Sequence, residues 1–142
     1  MKMSKSMEVL KMLSKDKNTV SQEGIVLVFP AAASAKVYAG GIGVLNATGY
    51  ATKGSAAAGL KAVGRIEEFV DNTNGVDGAV TIKVKRGVFK FKNSGTDALT
   101  RSEIFTDCYI EDDETVCKTV TGKSKAGTVI DIDSDGVWVE IK

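Results

Sequence analysis

The chain has 142 residues and a mass of 15.0 kDa, which fits one domain with a core that needs no staple. It carries 19 Lys and Arg against 18 Asp and Glu, with 43% apolar residues. That balance argues against a dedicated nucleic-acid binder and against an acidic disordered chain. There is no histidine, so Ser-His-Asp and Cys-His arrangements are excluded, as are zinc sites built on imidazole. Two cysteines cannot supply a four-thiolate site. No enzyme activity, cofactor or metal is expected.

Residues 1–18 differ from the rest. They contain no Gly or Pro and five lysines, Lys2, Lys5, Lys11, Lys15 and Lys17. Lys11, Lys15 and Lys17 interrupt any secretory apolar stretch, and nothing in the chain approaches the roughly 20 apolar residues of a membrane span, so no membrane partner is expected. Met3, Met7 and Leu10 fall at helical spacing with Val9 and Leu13 beside them, and Ser4 or Ser6 is a candidate cap. Two readings stand side by side. One is a tail or short helix packed on its own domain. The other is an arm whose Met3, Met7, Leu10 and Leu13 bind a partner, because so short a helix is marginal alone in water.

From residue 24 the pattern is β. Ile25 to Phe29 is a continuous apolar run closed by Pro30, which predicts a buried strand. Gly-rich residues 31–59 predict bends and close backbone approaches, with a turn at Asn46-Ala47-Thr48-Gly49. Gly64 favours a strand over a helix within Leu60 to Phe69, and Asp71 to Gly75 is a loop. Val80, Ile82 and Val84 are expected inward, with Thr81, Lys83 and Lys85 outward. Phe89 and Phe91 share one face. Cys108 to Cys117 reads as a hairpin. A two-residue turn at Asp112-Asp113 would set the two cysteines opposite each other, as free, partly buried thiols in a reducing compartment or, as the alternative, joined in a disulfide across the hairpin. Residues 128–132 and 137–141 form a last hairpin across Asp133 to Gly136. The sum is about eight to ten short strands. That predicts an all-β, barrel- or sandwich-like domain over 19–142, with a flexible or helical arm at 1–18 and no visible internal repeat.

The chemical motifs are weak. Asp131 to Gly136 starts like a calcium loop, but the twelfth position is Lys142, so a hairpin turn is preferred. Gly122-Lys123-Ser124 lacks the first glycine of a phosphate loop, since Cys117 stands there. Gly40-Gly41-Ile42-Gly43 lacks the third glycine of a dinucleotide fingerprint. Asn46-Ala47-Thr48 fits a glycosylation sequon and carries nothing without a secretory signal. Lys83, Lys85, Arg86, Lys90 and Lys92 form a basic cluster, read as a solvated sheet face in preference to a nucleic-acid patch using Phe89 and Phe91. Glu111-Asp112-Asp113-Glu114 is an acidic turn.

Several stretches in order carry a resemblance. They are Ala39-Gly40-Gly41-Ile42, the segment Gly59 to Glu68, Val80 to Phe89, Cys108 to Asp113, Ala126 to Asp131, and Val137-Trp138-Val139. Read together, residues 20 to 142 resemble the small decoration, or structural cement, proteins of tailed-bacteriophage capsids. The resemblance implies a β-barrel-like fold, homotrimers on the outside of the virion, and the major capsid protein as partner, with assembly in the host cytoplasm. The implied role is mechanical: the protein binds across capsid subunits and stabilises their contacts. It implies no specific nucleic acid. The alternative is another virion component, such as a head–tail joining or tail protein.

Overall fold

The computed structural model describes residues 25–142, so the arm at 1–18, its boundary with the β domain, and Met3, Met7, Leu10 and Leu13 lie outside the described residues. The described chain is all β, as expected. Ten strands have three or more residues, two have only two, and a 3₁₀ turn at Arg101–Glu103 is the single helical element among the described residues.

The strands fall into two groups along the chain. In the first, β1 (Val26–Pro30), β3 (Ile42–Leu45), β4 (Ala51–Lys53), β5 (Lys61–Ile66) and β7 (Thr81–Lys85) form one sheet in the order β1-β7-β5-β3-β4. The two-residue strands β2 (Lys36–Val37) and β6 (Val70–Asp71) pair as a small ribbon. In the second group, β8 (Gly87–Asn93), β9 (Asp107–Ile110), β10 (Thr115–Cys117), β11 (Lys125–Asp133) and β12 (Gly136–Ile141) close into a barrel in the order β10-β8-β12-β11-β9.

The two groups have the same topology. Numbering the five strands of each in chain order, the neighbours run first, fifth, fourth, second, third, and the third returns to the first. That return is parallel in both. In the barrel, Thr115 and Val116 pair with Lys92 and Asn93, and the Ser94 N–H donates to the Val116 carbonyl at 2.9 Å. In the sheet, Ala31 bridges Ala51, and the Ala32 N–H donates to the Ala51 carbonyl at 2.8 Å. The sheet therefore curls until it almost closes on itself.

The hairpins match as well. The Asn46 N–H donates to the Tyr50 carbonyl, and the Glu111 N–H to the Thr115 carbonyl, each across three intervening residues. In each unit the pairing of the second with the fourth strand carries one bulge, on the fourth strand: Val63 opposite Gly43–Val44 and Ala126 opposite Cys108–Tyr109. A glycine follows each bulge, because the neighbouring strand runs too close for a side chain. A Cβ on Gly64 would sit 2.6 Å from the Lys85 carbonyl oxygen, and one on Gly127 would sit 2.2 Å from that of Glu140.

The interiors also correspond. Leu27, Phe29, Leu45, Ala51, Val63, Ile66, Ile82 and Val84 point into the sheet's core. The equivalent positions Phe89, Phe91, Ile110, Val116, Ala126, Val129, Val137 and Val139 point into the barrel's. Only Phe29 with Phe91 and Val84 with Val139 keep their residue type. A repeat defined by burial and hydrogen bonding survives such exchanges while identity is lost, which is why none shows in the sequence.

The units pack head to tail. Strands β3 and β5 lie between the two cores. Ile42, Val44 and Ala62 face the barrel, and Leu45, Val63 and Ile66 face the sheet's own core. The Ser124 hydroxyl fastens the contact, accepting from the Leu60 N–H at 2.9 Å and donating to the Ala57 carbonyl at 2.6 Å.

Three expectations change. The run Ile25 to Phe29 is not a buried strand: β1 is an outer strand whose Val26 and Val28 face outward, since only one face of a curled sheet reaches its core. Val80 is 38% exposed, because the alternation starts at Thr81 where β7 begins, and the Val80 carbonyl serves only to accept from the Ala31 N–H. The cysteine hairpin is shifted by one residue. Ile110 pairs with Val116, and Cys117 with Tyr109, because the turn holds three residues and not two. Cys108 and Cys117 therefore are not opposite each other, and both are buried free thiols.

Candidate interaction surface

The chemical motifs resolve into structural features. Residues Asp131 to Gly136 form the tight β11–β12 hairpin, with Asp133 paired to Gly136. The Asp133 carboxyl accepts from the Asp135 N–H at 3.1 Å and from the Trp138 indole N–H at 3.2 Å, and Lys90 Nζ lies 2.8 Å from Asp135 and 3.5 Å from Asp133. Hydrogen bonding with Asp135, first through its side chain and then its backbone, holds the Asp133 carboxyl down at about 2, with Trp138 and Lys90 contributing. The same pairing pushes Lys90 above its ordinary value, led by the Asp135 hydrogen bond. Lys90 also sits over the Trp138 ring, 5.5 Å from its centre. The acidic positions thus hold a lysine.

Gly122-Lys123-Ser124 is a turn that delivers Ser124 to the seam between the units. Gly40 and Gly41 form the bend into β3, where the Ile42 N–H donates to the Asp113 carbonyl at 2.7 Å. The sequon Asn46-Ala47-Thr48 is the β3–β4 turn, closed by the Asn46 carboxamide accepting from Thr48 and Tyr50. Burial pushes the Cys108 thiol up to about 12 and also raises Cys117, so neither is an activated nucleophile.

The basic cluster separates. Lys90 is tied to the β11–β12 turn, and Lys92 pairs with Glu114, which raises its affinity for protons. Phe89 and Phe91 are not exposed stacking platforms. Phe91 is buried, and Phe89 lies under the Arg65 guanidinium, 4.5 Å from the ring centre, with Arg65 held by Glu67 at 3.0 Å. Lys83 and Lys85 stand apart from these. They project from β7 beside Val28 and Val26 of β1, which pair with them across the ladder. Val26 is 48% and Val28 56% exposed. This small face sets two valines of β1 beside two lysines of β7; other exposed apolar groups include the Tyr38–Phe69 aromatic pair, with ring centres 5.2 Å apart, and Phe105, 75% exposed. Sequence reading identified the lysines of the β1–β7 face but not its valines, which looked like core because apolar runs do not reveal whether one face or two are covered.

Two clefts flank the seam between the units. One, about 330 Å³, is lined by Leu60, Ala62, Lys125, Gly127, Glu140 and Lys142. Lys61 also lines it, while Lys125 pairs with Asp107 at 3.2 Å and Lys142 with Glu140 at 3.9 Å. The other, about 280 Å³, is lined by Tyr38, Gly40, Gly41, Asp113 and Glu114. No protein-family model, curated protein or solved structure matches the chain.

Proposed function

We propose that this protein is a structural component of a tailed-bacteriophage virion, a decoration protein that binds the outer capsid surface and stabilises contacts between major capsid protein subunits. The reading rests on the resemblance of residues 20 to 142 to that family. The observation that carries it in the structure is the β1–β7 face. At the equivalent positions of the barrel, Lys90 is neutralised by the Asp133–Asp135 turn, and Glu140 and Trp138 replace the two lysines. The sheet instead keeps Val26, Val28, Lys83 and Lys85 together. Such a face suits a partner that offers apolar and acidic surface, and a rigid all-β body suits a mechanical clamp. A ligand that binds only the assembled, expanded shell stabilises that state by linkage, and many copies multiply a modest affinity.

The test is sedimentation with expanded shells lacking the protein, with unexpanded shells as control. Saturable binding to expanded shells alone is expected, reduced tenfold or more by Val28→Asp with Lys83→Glu. Absence of binding to either shell by folded protein would overturn the reading in favour of a head–tail joining or tail component.

A further inference from the structure

Twice among the described residues an aromatic ring stands beside a carboxylate and the chain places one of its own cations on both. The Arg65 guanidinium lies on Phe89, 4.5 Å from the ring centre, and is held by Glu67 at 3.0 Å. Lys90 lies over Trp138, 5.5 Å from its centre, and is held by Asp135 at 2.8 Å and Asp133 at 3.5 Å. A third place has the ring and the carboxylate without the cation. It is the cleft of about 280 Å³ where Tyr38 meets the acidic turn.

Two local structures build this cleft. The β2–β6 ribbon pairs Lys36 with Asp71 and Val37 with Val70, and its next step brings Tyr38 opposite Phe69. Val37 points inward and is fully buried, so the alternation turns Tyr38 outward. The rings of Tyr38 and Phe69 meet at a tilt of 41°, and each residue stays 52% exposed. From the barrel, Asp113 is brought to the cleft by its carbonyl, which accepts from the Ile42 N–H at 2.7 Å. A Cβ on Gly41 would sit 3.3 Å from that carbonyl oxygen and 3.5 Å from the Asp113 Oδ2, so the cleft wall there is bare backbone. The other acids of the turn are engaged. Glu111 accepts from the Ser94 hydroxyl at 2.6 Å, Asp112 accepts from the Glu114 N–H at 2.9 Å, and Glu114 pairs with Lys92. Among the described residues the Asp113 carboxylate meets neither a hydrogen-bond donor nor a cation, and no cation lies over Tyr38 or Phe69. Lys36, outward on the same side of β2, stands opposite Asp71.

We infer that this cleft binds an arginine side chain presented by a partner polypeptide, with the guanidinium on the Tyr38 ring and paired with Asp113. A planar, weakly hydrated guanidinium can stack on a ring and meet a carboxylate in its own plane, whereas an ammonium engages both only as a point charge. Two open rings form no cage, so a quaternary ammonium would not be enclosed. The cleft is acidic and aromatic where the β1–β7 face is basic and aliphatic, so the two select segments of opposite charge.

The test uses the full-length free protein and a capped Gly-Arg-Gly peptide, with no shell present, so its outcome is separate from that of the shell-binding reading. Backbone amide shifts are followed as peptide is added. Saturable shifts are expected at Tyr38, Gly41, Phe69 and Asp113. Asp113→Asn keeps the backbone carbonyl that Ile42 uses and should weaken binding about tenfold. Tyr38→Leu should weaken it by about as much, while Tyr38→Phe should bind as the parent does. Asp107→Asn removes an equal charge outside the cleft and should change nothing. The corresponding lysine peptide should bind about threefold more weakly, and the neutral citrulline peptide should give no saturable shift. Absence of shifts at these amides, equal shifts with citrulline, or unaltered binding by folded Asp113→Asn would overturn the inference. Equal binding of the lysine peptide would overturn the assignment to arginine.

Discussion

The curled sheet and the closed barrel thread five strands in one order, with the same parallel return, the same hairpin length and the same bulge-then-glycine step. They differ in closure and in what covers them. The barrel's strands meet all the way round, and the sheet meets itself through the Ala31–Ala51 bridge and the Ala32 N–H to Ala51 carbonyl bond. The sheet also replaces the tight β11–β12 turn with a longer connection carrying β6 and the buried Asn72, whose amide nitrogen donates to the Ala32 and Val76 carbonyls. The difference teaches that topology here is set by a few backbone constraints, while closure depends on which neighbour supplies the missing contacts.

The harshest way to break the comparison is at the two glycines. Gly127→Ala places a methyl 2.2 Å from the Glu140 carbonyl oxygen, and Gly64→Ala one 2.6 Å from that of Lys85, where the backbone of Gly64 is also at φ +153°. Backbone atoms cannot swing aside as a flexible side chain can. Each substitution is expected to cost about 3 kcal/mol or more in denaturant unfolding, with Gly127 the worse. If only one of the pair mattered, the structural equivalence of the bulges would be wrong.

The cores come next. Ile110 and Leu45 occupy equivalent hairpin positions, but Ile110 is fully buried and Leu45 is not. Ile110→Ala should cost about 3–4 kcal/mol and Leu45→Ala about half as much, because less apolar surface leaves water at Leu45. Equal losses measured in the full chain would mean that Leu45 is as well covered as Ile110.

These positions also show what the sequence could reveal. The all-β class, the turn at Asn46 and the final hairpin were legible because alternation and Asn, Asp and Gly at turns are local signals. The one-residue shift of the cysteine hairpin was not, because two- and three-residue turns share the same acidic composition, and side chains on the barrel side and the outer side are both buried. Nor was the exposure of Val26 and Val28 legible, since burial on the second face depends on what the rest of the chain covers. The ion pairs of Lys90 and Lys92 join residues far apart in the chain, so the basic cluster looked larger in sequence than it is in space.

The seam between the units gives a mid-sized effect. Ser124→Ala leaves the Leu60 N–H and the Ala57 carbonyl without the hydroxyl that joins them. A loss of about 1–3 kcal/mol is expected. Because the barrel's core includes side chains from β3, both units should still unfold in one transition. Two separated transitions in Ser124→Ala would show that this hydroxyl, and not the apolar seam, couples them. At the thiols, Cys108 and Cys117 should resist alkylation in native protein at pH 8 and react on unfolding, since burial suppresses their thiolates. Rapid labelling of the native state would contradict the buried hairpin.

The smallest effect separates the two units by pH. Asp133 is held at about 2 in the folded barrel, below the ordinary carboxylate value of roughly 3.9 in an unfolded chain. A group lowered on folding stabilises the fold above its unfolded value and loses that contribution as pH falls through the folded one. Its part of the stability should therefore be full above about pH 4 and fade toward pH 2. Its Lys90 partner, raised on folding, keeps its contribution across this window, because its proton leaves only at alkaline pH. Both groups face solvent, so the change is a shallow slope of Tm against pH, flattened in Asp133→Asn and weakened by salt. The sheet has no counterpart: Val28 stands where the barrel has Lys90, and a long loop replaces the acidic turn. Amide exchange between pH 4 and 2 should thus register Asp133→Asn in β8, β11 and β12 and leave β1 and β7 unmoved. An equal response in both units would show that the turn acts through the whole molecule and not on its own barrel.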